Sequence, residues 1–458
     1  MSEVEQLRKA NKDLREEIEL LRQEIVELKE RLSLSSSNSS KPPSSDGLRK
    51  QRAVPNLRGK TGKKSGGQLG HKGNTLEMVE DADDVVVHKV MHCTECGRDL
   101  SDVANQTISR RQVFDLPLVQ VQVTEHQREH KTCPACNSKT SASFPEHVSA
   151  PVCYGPRVKA AAVYLQHGQL IPQDRLAELF KDVFNLSISS ASLASFGIKF
   201  APQLESWMAF QSKSLQQCAV KHVDETGFRI AGKTCWLHSI GSKAATIYRP
   251  SSKRGEVPGD VRGIVVHDHF KSYYSRIKQA QHALCNAHHL RELKGLIDNK
   301  HFKEPWAKSM YALLRFLSKL VKKPVRADTA ERISKLYEAI VNRGLAYHQS
   351  LPALLPKSNR GRTPRRKGHN LLIRLHDYQE DVLRCLYDQR VPFSNNLAER
   401  DVRMMKLKQK ISGGFRSEKG AQVFCNIRSL LATATKQGLN LLTTIQDVLA
   451  GHSPPIFT

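Results

Sequence analysis

The sequence predicts a multidomain α/β protein, and three observations carry that reading. Residues 4–32 repeat every seven residues. Two Cys-x-x-Cys turns flank a β-rich stretch. After residue 213, helical periodicity gives way to short β-rich runs and then returns. At roughly 100–200 residues per domain, 458 residues suggest two to four structural units. Lys and Arg number 71 against 45 Asp and Glu, a formal net charge of +26, which points to a polyanionic partner. The longest purely apolar stretch, around Ala160–Leu165, is far too short for a membrane span. Residues 1–30 are dense in charge and lack the apolar run of a signal peptide. A cytoplasmic location follows as an expectation, with the 10 cysteines reduced and paired ones read as metal ligands before disulfides.

The first segment, 1–34, reads as a leucine-zipper coiled coil. Val4, Asn11, Ile18, Ile25 and Leu32 occupy one core position, and Leu7, Leu14, Leu21 and Leu28 the other. Mostly β-branched residues at the first and Leu at the second favour a parallel two-stranded coil, and Asn11 fixes its register. Glu3–Arg8, Glu17–Arg22 and Glu24–Lys29 are flanking pairs of opposite sign. The expectation is a homodimer; a single amphipathic helix lying on the protein's own body is the alternative. Residues 35–75 break the pattern with a serine run, Pro42-Pro43 and nine basic residues against the single Asp46. This reads as a disordered basic linker able to neutralise phosphates, or as a solubilising spacer.

Residues 76–150 read as a zinc-binding module. Cys93-Thr-Glu-Cys96-Gly97 and Cys133-Pro-Ala-Cys136-Asn137 supply four thiolates on two tight turns, the donor set of a closed tetrahedral Zn²⁺ site. Gly97 and Asn137 both tolerate positive φ. The intervening 36 residues, 97–132, contain a β-rich stretch, Gln112–Glu125, with alternating Val113, Val119, Val121 and Val123. Residues 151–213 look helical. The turn Asn185-Leu-Ser-Ile-Ser189 followed by a helix from Ser190 to Phe200 is either a helix-turn-helix or plain packing helices. Only Lys199 gives that second helix a positive charge.

From residue 214 the chain turns to strands. Ala219–Val223, Thr234–Ile240 and Thr246–Tyr248 predict an antiparallel meander, and Gly263–His267 a further strand. Helices dominate from Ala287 to Asp388, interrupted by the basic stretch Pro356–Asn370. Asp224 and Asp268 each follow an apolar strand immediately, and Glu399 opens a later helix with Ser394 or Asn395 as N-cap. Two aspartates at strand ends and a glutamate on a helix form a hard-oxygen set suited to Mg²⁺ or Mn²⁺. Two such ions polarise a scissile phosphate and activate the attacking oxygen. Arg400, Arg403, Lys406, Lys408, Lys410, Arg416 and Lys419 follow Glu399. Arg400, Arg403, Lys406, Lys410 and Arg416 are the candidate DNA contacts, a solvated helix face being the plainer reading.

A resemblance covers about residues 1–450. It rests on Gly66-Gly-Gln-Leu-Gly-His71, the two Cys-x-x-Cys turns, His222–Gly227 and Asp268. It continues through Cys285-Asn-Ala-His288 with Arg291, Asn395-Asn-Leu-Ala-Glu-Arg400, and Ser412-Gly-Gly-Phe-Arg-Ser417 with Gly420-Ala421. In this order the motifs resemble the large transposase of the bacterial insertion sequence 66 family, a DDE transposase. The resemblance implies an RNase H-like catalytic core at 214–450 in which Asp224, Asp268 and Glu399 bind the metal. It also implies a helical insertion at about 300–390 within the 131 positions from Asp268 to Glu399. Two departures stand out: Ser394 where the family usually has Asp, and Glu225 directly after Asp224. Asp224 is kept as the ligand, because Glu225 would point to the opposite face of an extended chain. Cys285 and His288 alone are too few for a zinc site, so a local structural or DNA-positioning role is expected.

The expected function is DNA transposition: cleavage of element ends and their joining to target double-stranded DNA, by a nucleoid-associated homodimer, with the need for accessory element-encoded proteins left open. A metal nuclease without strand joining and a DNA-binding regulator with an inactive core are the alternatives.

Overall fold

The computed structural model describes residues 3–33, 70, 76–116, 120–145, 148–257, 260–299, 303–354 and 364–454. The basic linker expected at 35–75 therefore lies outside the described residues except for Gly70, as do Val119 and residues 356–363 of the basic interruption. The chain falls into two compact units, residues 55–122 and the remainder. Among the described residues, no helix is long and apolar enough to cross a membrane.

The first helix, α1 (Glu3–Ser33), has the length that the heptads predict. Its Val4, Leu7, Leu14, Ile18, Leu21, Ile25, Leu28 and Leu32 side chains are 46–74% exposed within the single chain. The alternative of a helix packed on the protein's own body is therefore not what these side chains do.

In the smaller unit the expected β-rich stretch at Gln112–Glu125 is not a strand: no described residue there pairs as one. Val113 is 92% exposed and, across the unit boundary, Val123 is 87% exposed. Alternation stabilises a strand only where one face is buried and a neighbour takes the backbone hydrogen bonds. Here the Gln112 side chain takes that role locally, donating to Val79 O and accepting from Val79 N, both at 2.8 Å.

In the larger unit, β1 (His130–Thr132) and β2 (Lys139–Ser141) form a hairpin around the second cysteine turn. Four helices follow: α2 (Pro156–Val163), α3 (Gln173–Phe184), α4 (Ser190–Phe200) and α5 (Glu205–Gln217). Asn185 ends α3 at φ 50°, and Ser189 caps α4 by accepting from Ser192 N at 3.1 Å. Leu193, Phe196 and Phe200 of α4 are buried in the main core. This packing and the single Lys199 favour plain packing helices over a recognition helix.

The sheet follows: β3 (Val220–Ile230), β4 (Lys233–Gly241), β5 (Thr246–Ser251), β6 (Ile264–His267), α6 (Lys271–Arg276), then β7 (Gln281–Leu284). Spatial order is β5-β4-β3-β6-β7. The first three strands form the expected antiparallel meander, and β6 and β7 run parallel to β3. The seventh strand went unpredicted because Gln281-His-Ala-Leu284 carries no β-branched residue. Its pairing to β6 supplies what propensity does not.

Both faces of the sheet are covered. Along β6, Val265 joins one core with α2–α5, while Ile264 and Val266 join another. That second core is built on α7 (Asn286–Ile297), α8 (Pro305–Leu320), α9 (Ala327–Ser350), α10 (Lys367–Asp377) and α11 (Gln379–Tyr387). The chain ends in α12 (Asn396–Asp401), α13 (Arg403–Ser412), α14 (Glu418–Lys436) and α15 (Leu441–Leu449). α14 lies along β5 and satisfies the free edge of the sheet: Ser429 Oγ accepts from Tyr248 N at 2.9 Å and Thr433 Oγ1 from Thr246 N at 3.2 Å. An open edge is thus closed by hydroxyls, not by another strand.

Candidate functional site

Parallel register brings the two aspartates together. β3 and β6 pair with His222 opposite Val266. Asp224 and Asp268 each lie two residues further on, so they stand side by side with the same facing, just past the last paired residue. Asp224 does not follow the end of its strand, as expected, but sits inside β3, which runs on to Ile230 against β4. It is β6 that ends at His267, and the carboxylates meet where β3 outruns its shorter neighbour. Burial, then the charge of Asp268, pushes the Asp224 carboxyl up to about 8, with Glu399 and Glu225 adding to the rise. Burial and the charge of Glu225 likewise raise Asp268. Two local bonds orient the pair: Asp224 Oδ1 accepts from Glu225 N at 2.8 Å, and Asp268 Oδ1 from Phe270 N at 3.1 Å.

Glu399 reaches this place on α12, a six-residue helix too short to hold itself together. Tertiary bonds fix both its ends. At the start, Asn395 is buried and makes no side-chain cap. Its Oδ1 accepts from His222 Nδ1 at 2.8 Å and its Nδ2 donates to Val223 O at 2.8 Å, both on β3. Its backbone N–H donates to the Cys285 sulfur at 3.1 Å. At the far end, Asp401 Oδ2 accepts from Lys436 Nζ at 2.8 Å and from Thr246 Oγ1 at 2.7 Å. Sequence reasoning offered Ser394 or Asn395 as the N-cap; Asn395 holds that position, but its side chain makes the staple to β3 that sequence reasoning missed, with the Asn395-Asn396 pair as the available signal.

The Glu399 carboxylate itself faces α7. Its Oε1 lies 3.8 Å from Cys285 Sγ, 3.7 Å from His288 Nδ1 and 3.7 Å from Arg291 Nη2. Among the described residues, Cys285, His288 and Glu399 are the group of three metal-ligating side chains whose ligand atoms fall within 4.8 Å of one another. Asp224 and Asp268 feel the charge of Glu399 without joining that group. Burial, then the Glu399 charge, pushes the Cys285 thiol up to about 12, and burial pushes His288 down to about 3.

Glu225 is committed elsewhere. Its Oε1 pairs with Arg254 Nε, and its Oε2 accepts from Gly255 N at 2.9 Å. The Arg254 guanidinium lies 4.1 Å from the Phe270 ring centroid and 4.8 Å from that of Trp236. This arrangement holds the loop after β5 against the start of α6.

The candidate DNA contacts do not behave alike. Arg400, Arg403, Lys410 and Arg416 are exposed. Lys406 is partly buried and donates to Gly227 O on β3 at 3.0 Å; burial lowers its ammonium, and Asp224 opposes that shift. The Ser412–Ser417 segment closes over the same strand. Gly413 turns at φ 70°, and a Cβ at Gly414 would lie 2.6 Å from Arg229 O.

The cysteine turns match each other. Gly97 N donates to Cys93 O at 3.0 Å and Asn137 N to Cys133 O at 2.8 Å, with φ of 71° and 58° at the two turning residues. Backbone N–H groups turned on the sulfur, foremost that of Cys96, lower the Cys93 thiol; the Ser138 hydroxyl lowers Cys136. Such pre-polarised thiols suit zinc. Cys93 and Cys96 belong to the smaller unit, Cys133 and Cys136 to the larger.

Comparison with known proteins adds a separate line. Residues 1–77 match a family of unknown function. Residues 91–137, which span all four cysteines, match the zinc-finger binding domain of transposase IS66. No curated protein matches the chain. Residues 151–423 match the Transposase IS66 family. With that match covering more than half of its length, a zinc-finger domain ahead of it and a mixed α/β body, the chain belongs to the IS66 transposase family.

Proposed function

We propose that this protein is a DNA transposase that cleaves the ends of an insertion element and joins them to target DNA, with Asp224, Asp268 and Glu399 as the metal-binding acids. The observation that carries this reading is the β3–β6 register, by which two partly buried aspartates lie side by side in the larger unit. Two adjacent carboxylates, both raised by burial and by neighbouring acids, are short of positive charge, and their hard oxygens fit Mg²⁺ or Mn²⁺. The strand order, three antiparallel strands followed by two parallel ones, supports an RNase H-like core at 214–450 with the helices of about 300–390, α8–α11, as its insertion. When bound, the cations supply Lewis-acid polarisation of the scissile phosphate and activation of the attacking oxygen.

The chain's own residues do the rest. Asp224 and Asp268 anchor the cations from rigid strands, and Glu399 completes the set by turning from α7 toward them. Arg400, Arg403, Lys410 and Arg416 bind DNA phosphates, and Lys406 braces β3 beneath Asp224. The four cysteines hold Zn²⁺ and order the module that contacts the element end. The exposed apolar stripe of α1 pairs with a second copy, giving the homodimer that holds two ends together. A nucleoid-associated location follows from the substrate. A regulator with an inactive core is the less favoured reading, since a partly buried acid pair raised in pKa is destabilising and a regulator has no use for it.

Asp224→Asn, Asp268→Asn and Glu399→Gln each keep shape and remove a carboxylate that a cation could bind. Each is expected to lower Mg²⁺-dependent cleavage of element-end DNA by at least ~10³-fold, about 4 kcal/mol of barrier, while binding to that DNA is retained. Glu225→Gln, which loosens Arg254 and touches no cation, is expected to cut faster than Asp224→Asn. Wild-type cutting rates in all three acid variants would leave the regulator as the better reading.

Metal affinity should depend on pH with a defined sign. Asp224, raised to about 8, holds a proton at neutral pH that a cation must displace. Without metal, the folded state binds the extra proton, so its stability declines as pH rises from the unfolded-state pKa through about 8. Calorimetric Mg²⁺ affinity is accordingly expected to rise between about pH 6 and about pH 9. Asp224→Asn should flatten that rise, and an equal slope in the variant would contradict the assignment.

Assembly is checked by light scattering without DNA. Removal of residues 1–34 is expected to weaken the dimer to monomer. A dimer unchanged by the truncation would place the interface elsewhere.

A further inference from the structure

We propose that Cys285, His288 and Glu399 form a second transition-metal site, of the Zn²⁺ class, which withholds Glu399 from the aspartates when it is filled. The regulatory half of this statement rests on the proposed role of Glu399; the metal site itself does not.

Three observations support it. The ligand atoms of a thiol, an imidazole and a carboxylate lie within 4.8 Å of one another. Zn–S near 2.3 Å and Zn–N or Zn–O near 2.0–2.2 Å put the edges of a tetrahedron at roughly 3.3–3.6 Å. The separations of Glu399 Oε1 from Cys285 Sγ, 3.8 Å, and from His288 Nδ1, 3.7 Å, need only a few tenths of an ångström of closure. His288 Nδ1 is buried and has no hydrogen-bond partner, although it points at the carboxylate. A buried ring nitrogen left without a partner costs free energy that a metal bond recovers.

The third observation is the scaffold. Cys285 is the N-cap residue of α7 and His288 lies in its first turn, so one rigid element presents both soft ligands. Cys285 N donates to His267 O at 2.9 Å and Asn286 N to Phe393 O at 3.1 Å, which ties that turn to the end of β6 and to the segment before α12. Sulfur and imidazole select Zn²⁺ over Mg²⁺, whereas the aspartate pair prefers Mg²⁺. The two sites therefore compete for one glutamate with different metals. Binding releases the Cys285 thiol proton to solvent, and water takes the fourth position. Arg291, partly exposed and 3.7 Å from the same oxygen, is a competing cation that swings out on binding.

The test is zinc content by elemental analysis of the full chain, equilibrated at buffered micromolar free Zn²⁺. Wild type is expected to hold about two equivalents, one at the four cysteines and one here. Cys285→Ser and His288→Ala should each hold about one, and Arg291→Ala about two. His288→Ala alters a partly exposed ring and serves if Cys285→Ser fails to fold, with circular dichroism as the check. Two equivalents in both the Ser and Ala variants, or one in wild type, would overturn the site. Zn²⁺ should also inhibit Mg²⁺-dependent cleavage at least tenfold less well in Cys285→Ser than in wild type. Zinc lost from these variants with no cleavage by any protein would uphold the site and remove the transposase mechanism instead.

Discussion

One buried amide holds the candidate site together. Asn395 accepts from His222 and donates to Val223 through its side chain, and its backbone N–H reaches Cys285. Those bonds join the strand that carries Asp224, the turn that begins α7 and the short helix that carries Glu399. Each partner is buried, so losing the amide strands a histidine N–H and a strand carbonyl without water to replace it. Asp and Leu are close to Asn in size but cannot both donate and accept here. Asp401 repeats the device at the other end of α12 with a lysine and a threonine. A helix of six residues is thereby held where its own hydrogen bonds would not keep it.

That rigidity is set against electrostatic strain. Burial and the charges of Glu225 and Glu399 raise the affinity of Asp224 and Asp268 for protons, and the charge of Asp268 adds to the rise at Asp224. The protein relieves part of this locally. Arg254 neutralises Glu225, Arg291 lies beside Glu399, and Lys406 sits near Asp224. The Asp224 and Asp268 carboxylates accept hydrogen bonds from the backbone N–H groups of Glu225 and Phe270, and with Lys406 near the first and Arg254 acting on the second both stay raised. Acids clustered and undercompensated in this way fit a cation site better than a structural network. The basic residues exposed on α12, α13 and the following loop would then bring the phosphate backbone to the same place.

Much of the fold was legible where local pattern and tertiary context agree. The meander from β3 to β5, the bounds of α4 and the positive φ at Gly97 and Asn137 follow from alternation, capping and turn chemistry. The failures have physical causes. Gln112–Glu125 alternates but has nothing to bury against, and β7 lacks propensity but has a paired neighbour. Asp224 read as a strand end because its polar neighbours interrupt the apolar run, whereas β4 carries the strand six residues further. Lys406 counted as one more exposed cation, because charge alone says nothing about the Gly227 carbonyl beneath it. The site residues that sequence reasoning missed or left without a partner, Asn395 and the Cys285–His288–Glu399 group, join positions more than 100 residues apart. Only a topology that sets β3, α7 and α12 side by side reveals them.

The central claim is that the aspartate pair is the cation site and that Glu399 joins it from its resting place on α7. The direct measurement is an anomalous difference map from crystals of the full chain with element-end DNA and Mn²⁺. The account predicts density between the Asp224 and Asp268 carboxylates, with the Glu399 side chain turned away from Cys285 and His288. Mn²⁺ bound elsewhere, with both aspartates free of it, would contradict the account.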